Sequence, residues 1–243
     1  MTREEFYLTD DGIRLHAKLD RPEGLEKTPL CIIVHGLTGY MEEEHIVAIS
    51  AAMNDLGIAT LRVELYGHGQ SDGAFEDHDL AKWLHNLDTV TDYAKSLDFV
   101  TDLYLCGHSQ GGLAVVIQAG RRPEEYKAIL PLAPALMIPR LAKQFPEDEI
   151  PDCFYFHEQR IAQGYILANR ALDVDAAIRN YHGPVLLVQG IADTTLVPQD
   201  MVDAAKVYEN ATLVTIDGDT HCFDYHLDKV VEAVKEFMAK QLG

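Results

Sequence analysis

The chain contains six short runs in which hydrophobic residues follow one another without a clean alternation. Strands that are buried on both faces of a sheet have this pattern. Two earlier runs, Phe6–Leu8 and Ile13–Leu19, are separated by Asp10-Asp11-Gly12 and predict an antiparallel hairpin. The six apolar runs are Leu30–Val34, Ala59–Val63, Leu103–Cys106, Ala128–Leu132, Val185–Val188 and Ala211–Ile216. Together the runs predict a sheet of eight strands.

Helical stretches alternate with these strands. They lie at Glu43–Leu56, Leu80–Leu97, Gln110–Arg121, Pro198–Tyr208 and Leu227–Lys240. This alternation predicts an α/β fold with a mostly parallel sheet and helices on both faces. The rhythm is interrupted at about residues 135–182, which contain three prolines and a helix-like stretch at about 159–172. We expect one domain, residues 1–243, with an inserted cap over the strand ends.

Composition narrows the class of protein. The 243 residues are 47% apolar and hold no apolar run long enough for a bilayer, so no membrane segment is expected. A formal charge of −19 disfavours nucleic acids and anionic membranes, which require basic patches. The acidic first residues differ from a signal peptide, and four cysteines show no metal-type spacing. We therefore expect reduced thiols, a cytoplasmic location and a small-molecule partner, and keep a homodimer open.

The strongest chemical motif is Gly107-His-Ser109-Gln-Gly111, which joins an apolar strand to a helix. A serine in G-x-S-x-G between strand and helix is typical of a nucleophile elbow, where small neighbours leave room for a strained turn. Ser109 is therefore the predicted nucleophile. A serine hydroxyl needs a base and an acid to react at neutral pH, and the elbow usually works beside an oxyanion hole.

Two backbone N–H groups are predicted to form the oxyanion hole. One belongs to the residue after the nucleophile, Gln110, and the other to a glycine-bearing loop after an earlier strand, His35-Gly-Leu-Thr-Gly39. Leu37 is the predicted donor in that loop, because its N–H can point at the developing oxyanion.

Two further strand ends supply the acid and the base. Asp193 follows the strand Val185–Val188, and His221 follows the last strand. The order serine, aspartate, histidine is that of α/β-hydrolases. Asp193 also fits a helix-capping or turn role. His226 competes for the base but is expected at the surface.

Other polar motifs have simpler interpretations. Asp217, Asp219 and Asp224 are expected to be turn and surface acids, and Glu42–Glu44 a solvated start of a helix. The glycine-rich stretch Tyr66–Gly73 lacks the spacing of a phosphate loop and is expected to be a structural turn. No metal or cofactor is expected, since the triad interpretation of His221 outweighs a metal cluster.

The motifs His35–Gly39, Tyr66–Gly73, Gly107–Gly112 and Gly218–Phe223 resemble those of bacterial feruloyl (cinnamoyl) esterases of the α/β-hydrolase superfamily. The resemblance spans nearly the whole chain and implies hydrolysis of hydroxycinnamate esters, with the aromatic acyl group under the cap. It also implies that Tyr165 meets the phenolic end of the substrate.

The chain departs from this family within the predicted cap, which looks shorter around residues 145–163. Phe154, Tyr155 and Phe156 are candidates for an aromatic pocket or for local core. The function hypothesis is a serine carboxylesterase acting on feruloyl and p-coumaroyl esters through an acyl-enzyme. Alternatives are a monoacylglycerol lipase or thioesterase, and a catalytically silent ligand-binding protein. The triad itself leaves ester and amide substrates open.

Overall fold

The predicted strands form one sheet. A computed structural model describes residues 1–242. The strands are β1 Thr2–Asp10, β2 Ile13–Arg21, β3 Thr28–Val34, β4 Ala59–Val63, β5 Val100–His108, β6 Ala128–Leu132, β7 Cys153–Phe156, β8 Gln159–Ala162, β9 Val185–Gly190 and β10 Ala211–Ile216. Eight of them share a sheet in the order β1-β2-β4-β3-β5-β6-β9-β10. Within this eight-stranded sheet, only the pairs β1–β2 and β2–β4 are antiparallel. The mostly parallel sheet confirms the predicted fold class.

Helices cover both faces of this sheet. They are α1 Glu44–Asp55, α2 Leu80–Ser96, α3 Gln110–Arg121, α4 Ile138–Ala142, α5 Gly164–Arg170, α6 Val174–Asn180, α7 Pro198–Val207 and α8 Leu227–Gln241. Along β3, Leu30 and Ile32 pack with the core under α2 and α3, while Cys31 and Ile33 pack with the core under α1 and α8. Both faces of β3 are therefore buried, which explains its unbroken apolar run.

A two-residue turn closes the N-terminal hairpin. Asp10 pairs with Ile13, so Asp11 and Gly12 form the turn, with φ angles of 48° and 86°. Positive φ at both positions is the type I′ geometry that suits the twist of antiparallel strands. Strand β1 is longer than the apolar run predicts, because its exposed first residues also pair with β2.

Residues 133–184 connect β6 to β9 and are called the connecting segment below. Strands β7 and β8 pair antiparallel within it, beside α4, α5 and α6. The helix predicted at about 159–172 is wrong at its start, since Gln159–Ala162 is a strand and the helix begins at Gly164. Pairing with β7 and complete burial of Ile161 outweigh local helical preference there. The division into one domain with an inserted cap stays a prediction.

The connecting segment joins two neighbouring strands of the sheet. Strands β6 and β9 are neighbours in the sheet and run parallel, with Leu132 opposite Val188. The chain thus leaves the sheet at the carboxyl end of β6 and returns at the amino end of β9, where the carbonyl of Pro184 accepts from Ile129 N–H. Among residues 1–242, no helix combines the length and the apolar character needed to cross a bilayer.

Candidate active site

Ser109 lies at the sharp turn between β5 and α3. Its φ of 56° and ψ of −120° are strained for a residue with a side chain. A side chain at Gly107 would collide with the carbonyl of Gly111, and one at Gly111 would collide with the carbonyl of His35. The two glycines therefore allow the backbone to pass close enough for Ser109 to project from the turn.

Three strand ends bring Ser109, His221 and Asp193 together. The Ser109 hydroxyl lies 2.9 Å from His221 Nε2 and can donate to it. On the other side of the ring, His221 Nδ1–H donates to Asp193 Oδ2 over 2.8 Å. This bond selects the tautomer whose Nε2 carries a lone pair, the form that can accept the serine proton. The predicted catalytic residues thus form one hydrogen-bonded chain.

The carboxylate of Asp193 is buried and well supplied with donors. Gln189 Nε2 donates to its Oδ2, and the backbone N–H groups of Thr195 and Leu196 donate to its Oδ1, all within 2.7–2.9 Å. Burial alone raises the pKa of Asp193, but these bonds and the bond from His221 outweigh it and lower the pKa to about 2. Asp193 is therefore ionised at neutral pH.

The two predicted oxyanion donors lie beside Ser109. Leu37 and Gln110 both line the cavity that contains Ser109 and His221. Within residues 1–242, neither backbone N–H donates to another residue. The loop approaches the nucleophile closely, since a side chain at Gly36 would stand 3.1 Å from Ser109 Cβ. Both N–H groups are thus available to a ligand at Ser109.

The cavity has an apolar wall and a polar wall. Its volume is about 680 Å³. Side chains from the connecting segment form the apolar wall: Met137, Ile138, Leu141, Phe145, Phe154, Phe156 and Ile166. Thr38, Glu43, Cys222 and Asp224 form much of the polar wall. Ser109 therefore faces a cavity whose lining offers both apolar and polar contacts.

Strand β7 divides the predicted aromatic cluster. Phe154 and Phe156 line the cavity, whereas Tyr155 is 68% exposed. Side chains alternate along a strand, so only every second residue can face the cavity. Two of the three aromatic residues are therefore placed to contact a ligand.

Tyr165 lies on the cavity wall and is buried. Its hydroxyl donates to Gln110 Oε1 over 2.7 Å, and its ring packs on Phe154 at 5.6 Å between centroids. Burial raises the pKa of Tyr165, so its hydroxyl stays protonated. This side chain is therefore tied to the residue that follows the nucleophile.

One of the three acids expected at the surface near His221 is buried instead. Asp219, expected at the surface, is fully buried, and its Oδ1 accepts from the backbone N–H groups of Thr220 and Tyr225. Its carbonyl also accepts from Ala192 N–H, which fastens the loop of His221 to the loop of Asp193. No sequence signal separates Asp219 from its exposed neighbours, because the path of the loop decides which acid turns inward.

The acidic run at the start of α1 is also less solvated than expected. Glu42 forms ion pairs with Arg62 and Lys18, each at 3.1 Å. Glu43 lines the cavity, where burial raises the pKa of its carboxyl group. The interpretation of Glu42–Glu44 as a solvated run is therefore wrong for Glu43, whereas Glu42 and Glu44 are exposed as expected.

The chain matches known proteins over much of its length. Residues 26–154 match the family model of serine aminopeptidase, S33. Est1E from Butyrivibrio proteoclasticus, in a structure with ferulic acid bound, is 47% identical, with a TM-score of 0.95 over 98% of this chain and 99% of that one. A second Est1E structure is 44% identical, with a TM-score of 0.92 over 98% of each chain.

A mitochondrial relative shares part of the sequence. The human palmitoyl-protein thioesterase ABHD10 is 33% identical over 110 residues, which cover 45% of this chain and 34% of that protein. The match thus spans about a third of the relative. The Est1E matches confirm the resemblance stated from the motifs, and the chain belongs to the serine aminopeptidase S33 family of α/β-hydrolases.

Proposed function

We propose that this protein is a serine carboxylesterase that hydrolyses hydroxycinnamate esters, such as feruloyl and p-coumaroyl esters. The observation that carries the proposal is the hydrogen-bonded chain from Asp193 through His221 to Ser109, which opens onto a partly aromatic cavity. Ferulic acid bound to Est1E, a relative of nearly the same length, supports the choice of acyl group.

In the first half of the proposed reaction, Ser109 attacks the ester carbonyl. His221 Nε2 takes the hydroxyl proton as the Ser109 Oγ–carbon bond forms, and Asp193 stabilises the resulting imidazolium. The negative charge that develops on the carbonyl oxygen is held by the N–H groups of Leu37 and Gln110. Collapse of this intermediate breaks the bond to the alcohol oxygen, which leaves with the proton from His221.

In the second half, water releases the acid. His221 takes a proton from water, whose oxygen attacks the acyl carbon of the Ser109 ester. The same two N–H groups hold the second oxyanion. Ser109 Oγ then leaves with the proton held by His221, so the enzyme returns to its starting state and the products are one acid and one alcohol.

The apolar wall is the proposed site of the aromatic acyl group. Phe154 and Phe156 offer ring surfaces on which a flat cinnamoyl group can pack. We assign the connecting segment the role of a cap over this site. The contact of Tyr165 with a phenol stays a prediction. Removal of the Tyr165 hydroxyl would also remove its hydrogen bond to the side chain of Gln110.

A thioesterase is the second candidate. The partial match to a palmitoyl-protein thioesterase favours it, and an apolar wall also suits an alkyl chain. Thioester hydrolysis uses the same triad and oxyanion donors, so the catalytic geometry does not separate the two substrates. The acyl selectivity of the cavity decides between them.

The deciding experiment compares kcat/KM for methyl ferulate, methyl p-coumarate, a monoacylglycerol and a palmitoyl thioester, with Ser109→Ala as the blank. We expect the two cinnamates to be preferred by at least tenfold. Preference for the glyceride or the thioester would keep the mechanism and overturn the proposed substrate. Failure of a fluorophosphonate probe to label Ser109 would overturn the mechanism itself.

We also place the protein in the cytoplasm. The four cysteines, Cys31, Cys106, Cys153 and Cys222, are free thiols, which suits a reducing compartment. Fractionation of cells that express the native protein tests this location. A homodimer stays a prediction, and sedimentation at micromolar concentration tests it.

A further inference from the structure

A loop beside Ser109 is joined to a second loop by a reciprocal pair of hydrogen bonds. One loop follows β3 and holds the predicted oxyanion donor; the other follows β4. Leu65 N–H in the second loop donates to His35 Nε2 in the first, over 3.2 Å. Thr38 N–H in the first loop donates to His68 Nε2 in the second, over 3.3 Å. We call His35 and His68 the histidine clasp.

Both rings of the histidine clasp carry their proton on Nδ1. His35 Nδ1–H donates to the carbonyl of Gly36 at 2.7 Å, and His68 Nδ1–H donates to the carbonyl of Tyr66 at 3.1 Å. Each Nε2 therefore has a free lone pair for a backbone N–H. Burial lowers the pKa of His35 to about 4 and that of His68 to about 2, so both rings stay neutral acceptors at neutral pH.

The rings are also fixed by packing. The centroids of His35 and His68 are 5.1 Å apart, and Trp83 packs edge-on against both, at 5.1 and 4.9 Å. Trp83 Nε1–H donates to the carbonyl of Tyr66, the same carbonyl that His68 contacts. Both rings are buried. Neither imidazole can turn without displacing a neighbour, so the direction of each Nε2 is set.

The histidine clasp fixes the two peptide groups on either side of Leu37. A peptide group is planar, and its carbonyl and N–H point in opposite directions. His35 holds the carbonyl of Gly36, so it sets the direction of Leu37 N–H in the same peptide. His68 holds Thr38 N–H, so it sets the following peptide and supports the positive φ of 63° at Thr38.

We propose that His68 is a positioning residue for ester hydrolysis, which aims Leu37 N–H at the oxyanion by holding the next peptide through Thr38 N–H. This inference rests on the proposed function. The oxyanion exists only during the chemical step, so a misdirected donor lowers kcat and leaves KM nearly unchanged. Removal of a whole oxyanion donor costs about 10²–10³-fold in kcat, and loss of its positioning is expected to cost about 10–50-fold.

The test uses the full-length protein with His68→Leu, which removes the acceptor, and His68→Gln, whose amide oxygen reaches the place of Nε2. His78→Leu is the matched packing control. His78 is buried in the same group of rings, 5.0 Å from His68, but its Nε2 has no partner within residues 1–242. If His68→Leu does not fold, His68→Asn replaces it, since the shorter amide cannot reach Thr38 N–H.

Five quantities are measured: kcat, KM, the thermal midpoint, the dissociation constant of free ferulate, and inhibition by an aryl trifluoromethyl ketone, which adds to Ser109 and forms an oxyanion. We expect His68→Leu to lower kcat and weaken the ketone by the same factor, with the binding of free ferulate unchanged. His68→Gln should recover most of the loss. His78→Leu should lower the thermal midpoint but keep kcat within about threefold.

Wild-type kcat in His68→Leu, or an equal loss in His78→Leu, would overturn the positioning role. A higher KM with an unchanged kcat would overturn it as well. The outcome is separate from the substrate proposal, because the histidine clasp acts on the oxyanion of any ester. If the wild-type protein prefers a glyceride or a thioester, the same variants are compared on that substrate.

Discussion

The loops around Ser109 and the connecting segment are built by different means. Around Ser109, glycines stand where no side chain fits, and buried polar groups hold the backbone in place. The connecting segment presents mostly apolar side chains to the cavity, and Leu141, Phe145, Tyr155 and Leu167 are partly exposed on it. The first region fixes the geometry of a reaction, whereas the second offers a surface. We therefore expect substitutions in the first region to affect mainly the chemical step, and substitutions in the second to affect mainly the choice of substrate.

Ser109→Ala should have the largest effect on the first region and none on the second. Loss of a serine nucleophile typically lowers kcat by about 10⁶-fold, and we expect a loss of this order, because no other group is placed to attack. The connecting segment should be unaffected, so ferulate should still bind. Ester hydrolysis and equilibrium binding of ferulate measure the two effects. Activity near that of the wild type would contradict the assignment of Ser109.

Asp193→Asn tests the tautomer of His221. An amide at this place can donate to His221 Nδ1, which moves the proton to Nε2 and removes the lone pair that Ser109 requires. We expect kcat to fall by about 10⁴-fold at neutral pH, with KM little changed. Steady-state kinetics on a cinnamate ester provide the measurement. A higher KM with an unchanged kcat would show that Asp193 acts in binding.

Acid should destabilise the region around Ser109, which includes the loop of His35 and helix α1 with His45, before the connecting segment. Burial lowers the pKa of His35 and His45 to about 4, whereas an unfolded histidine titrates near 6.5. Between these values the unfolded state binds more protons than the folded state, so stability falls as the pH falls below 6.5. At pH 5 each group costs about 2 kcal/mol of unfolding free energy.

Both histidines of the connecting segment, His157 and His182, are exposed and provide the internal contrast. Urea unfolding between pH 7 and pH 5 measures the total loss. Hydrogen exchange at both pH values locates it, and greater loss of protection in the connecting segment than at His35 would contradict the assignment.

Phe156→Ala addresses the apolar wall. Phe156 faces the cavity, and its loss should lower kcat/KM for methyl ferulate by about tenfold, the scale of a lost apolar contact. An acetyl ester is too small to reach this wall and should keep its rate. Tyr155→Ala is the matched control, because Tyr155 is the adjacent aromatic residue and points to solvent. Equal effects of the two variants would remove Phe156 from the binding surface.

Sequence alone located the elements whose signals are local. The α3 bounds, Gln110–Arg121, were predicted without error, because a glycine-flanked serine and a long apolar pattern mark them. Asp193 and His221 were predicted from their order after two buried strands, and the structure brings both to Ser109. These signals depend on a few residues at fixed spacing.

Features that depend on distant partners were missed. Strand β8 exists because β7 pairs with it, and the burial of Asp219 depends on the path of two loops. The turn predicted at Tyr66–Gly73 is present, but nothing within it indicates that His68 reaches Thr38, which is 30 residues away in the chain. Such contacts are set by the packed fold rather than by local propensity.

The position of the connecting segment between two neighbouring strands has an evolutionary consequence. Because β6 and β9 are neighbours, insertions or deletions between them leave the spacing of the sheet unchanged. Closing a longer loop between fixed ends is inexpensive, about 0.6 kcal/mol for each doubling of its length. We therefore expect that this stretch can be exchanged between homologues to change the substrate, while the residues that carry out hydrolysis keep their positions.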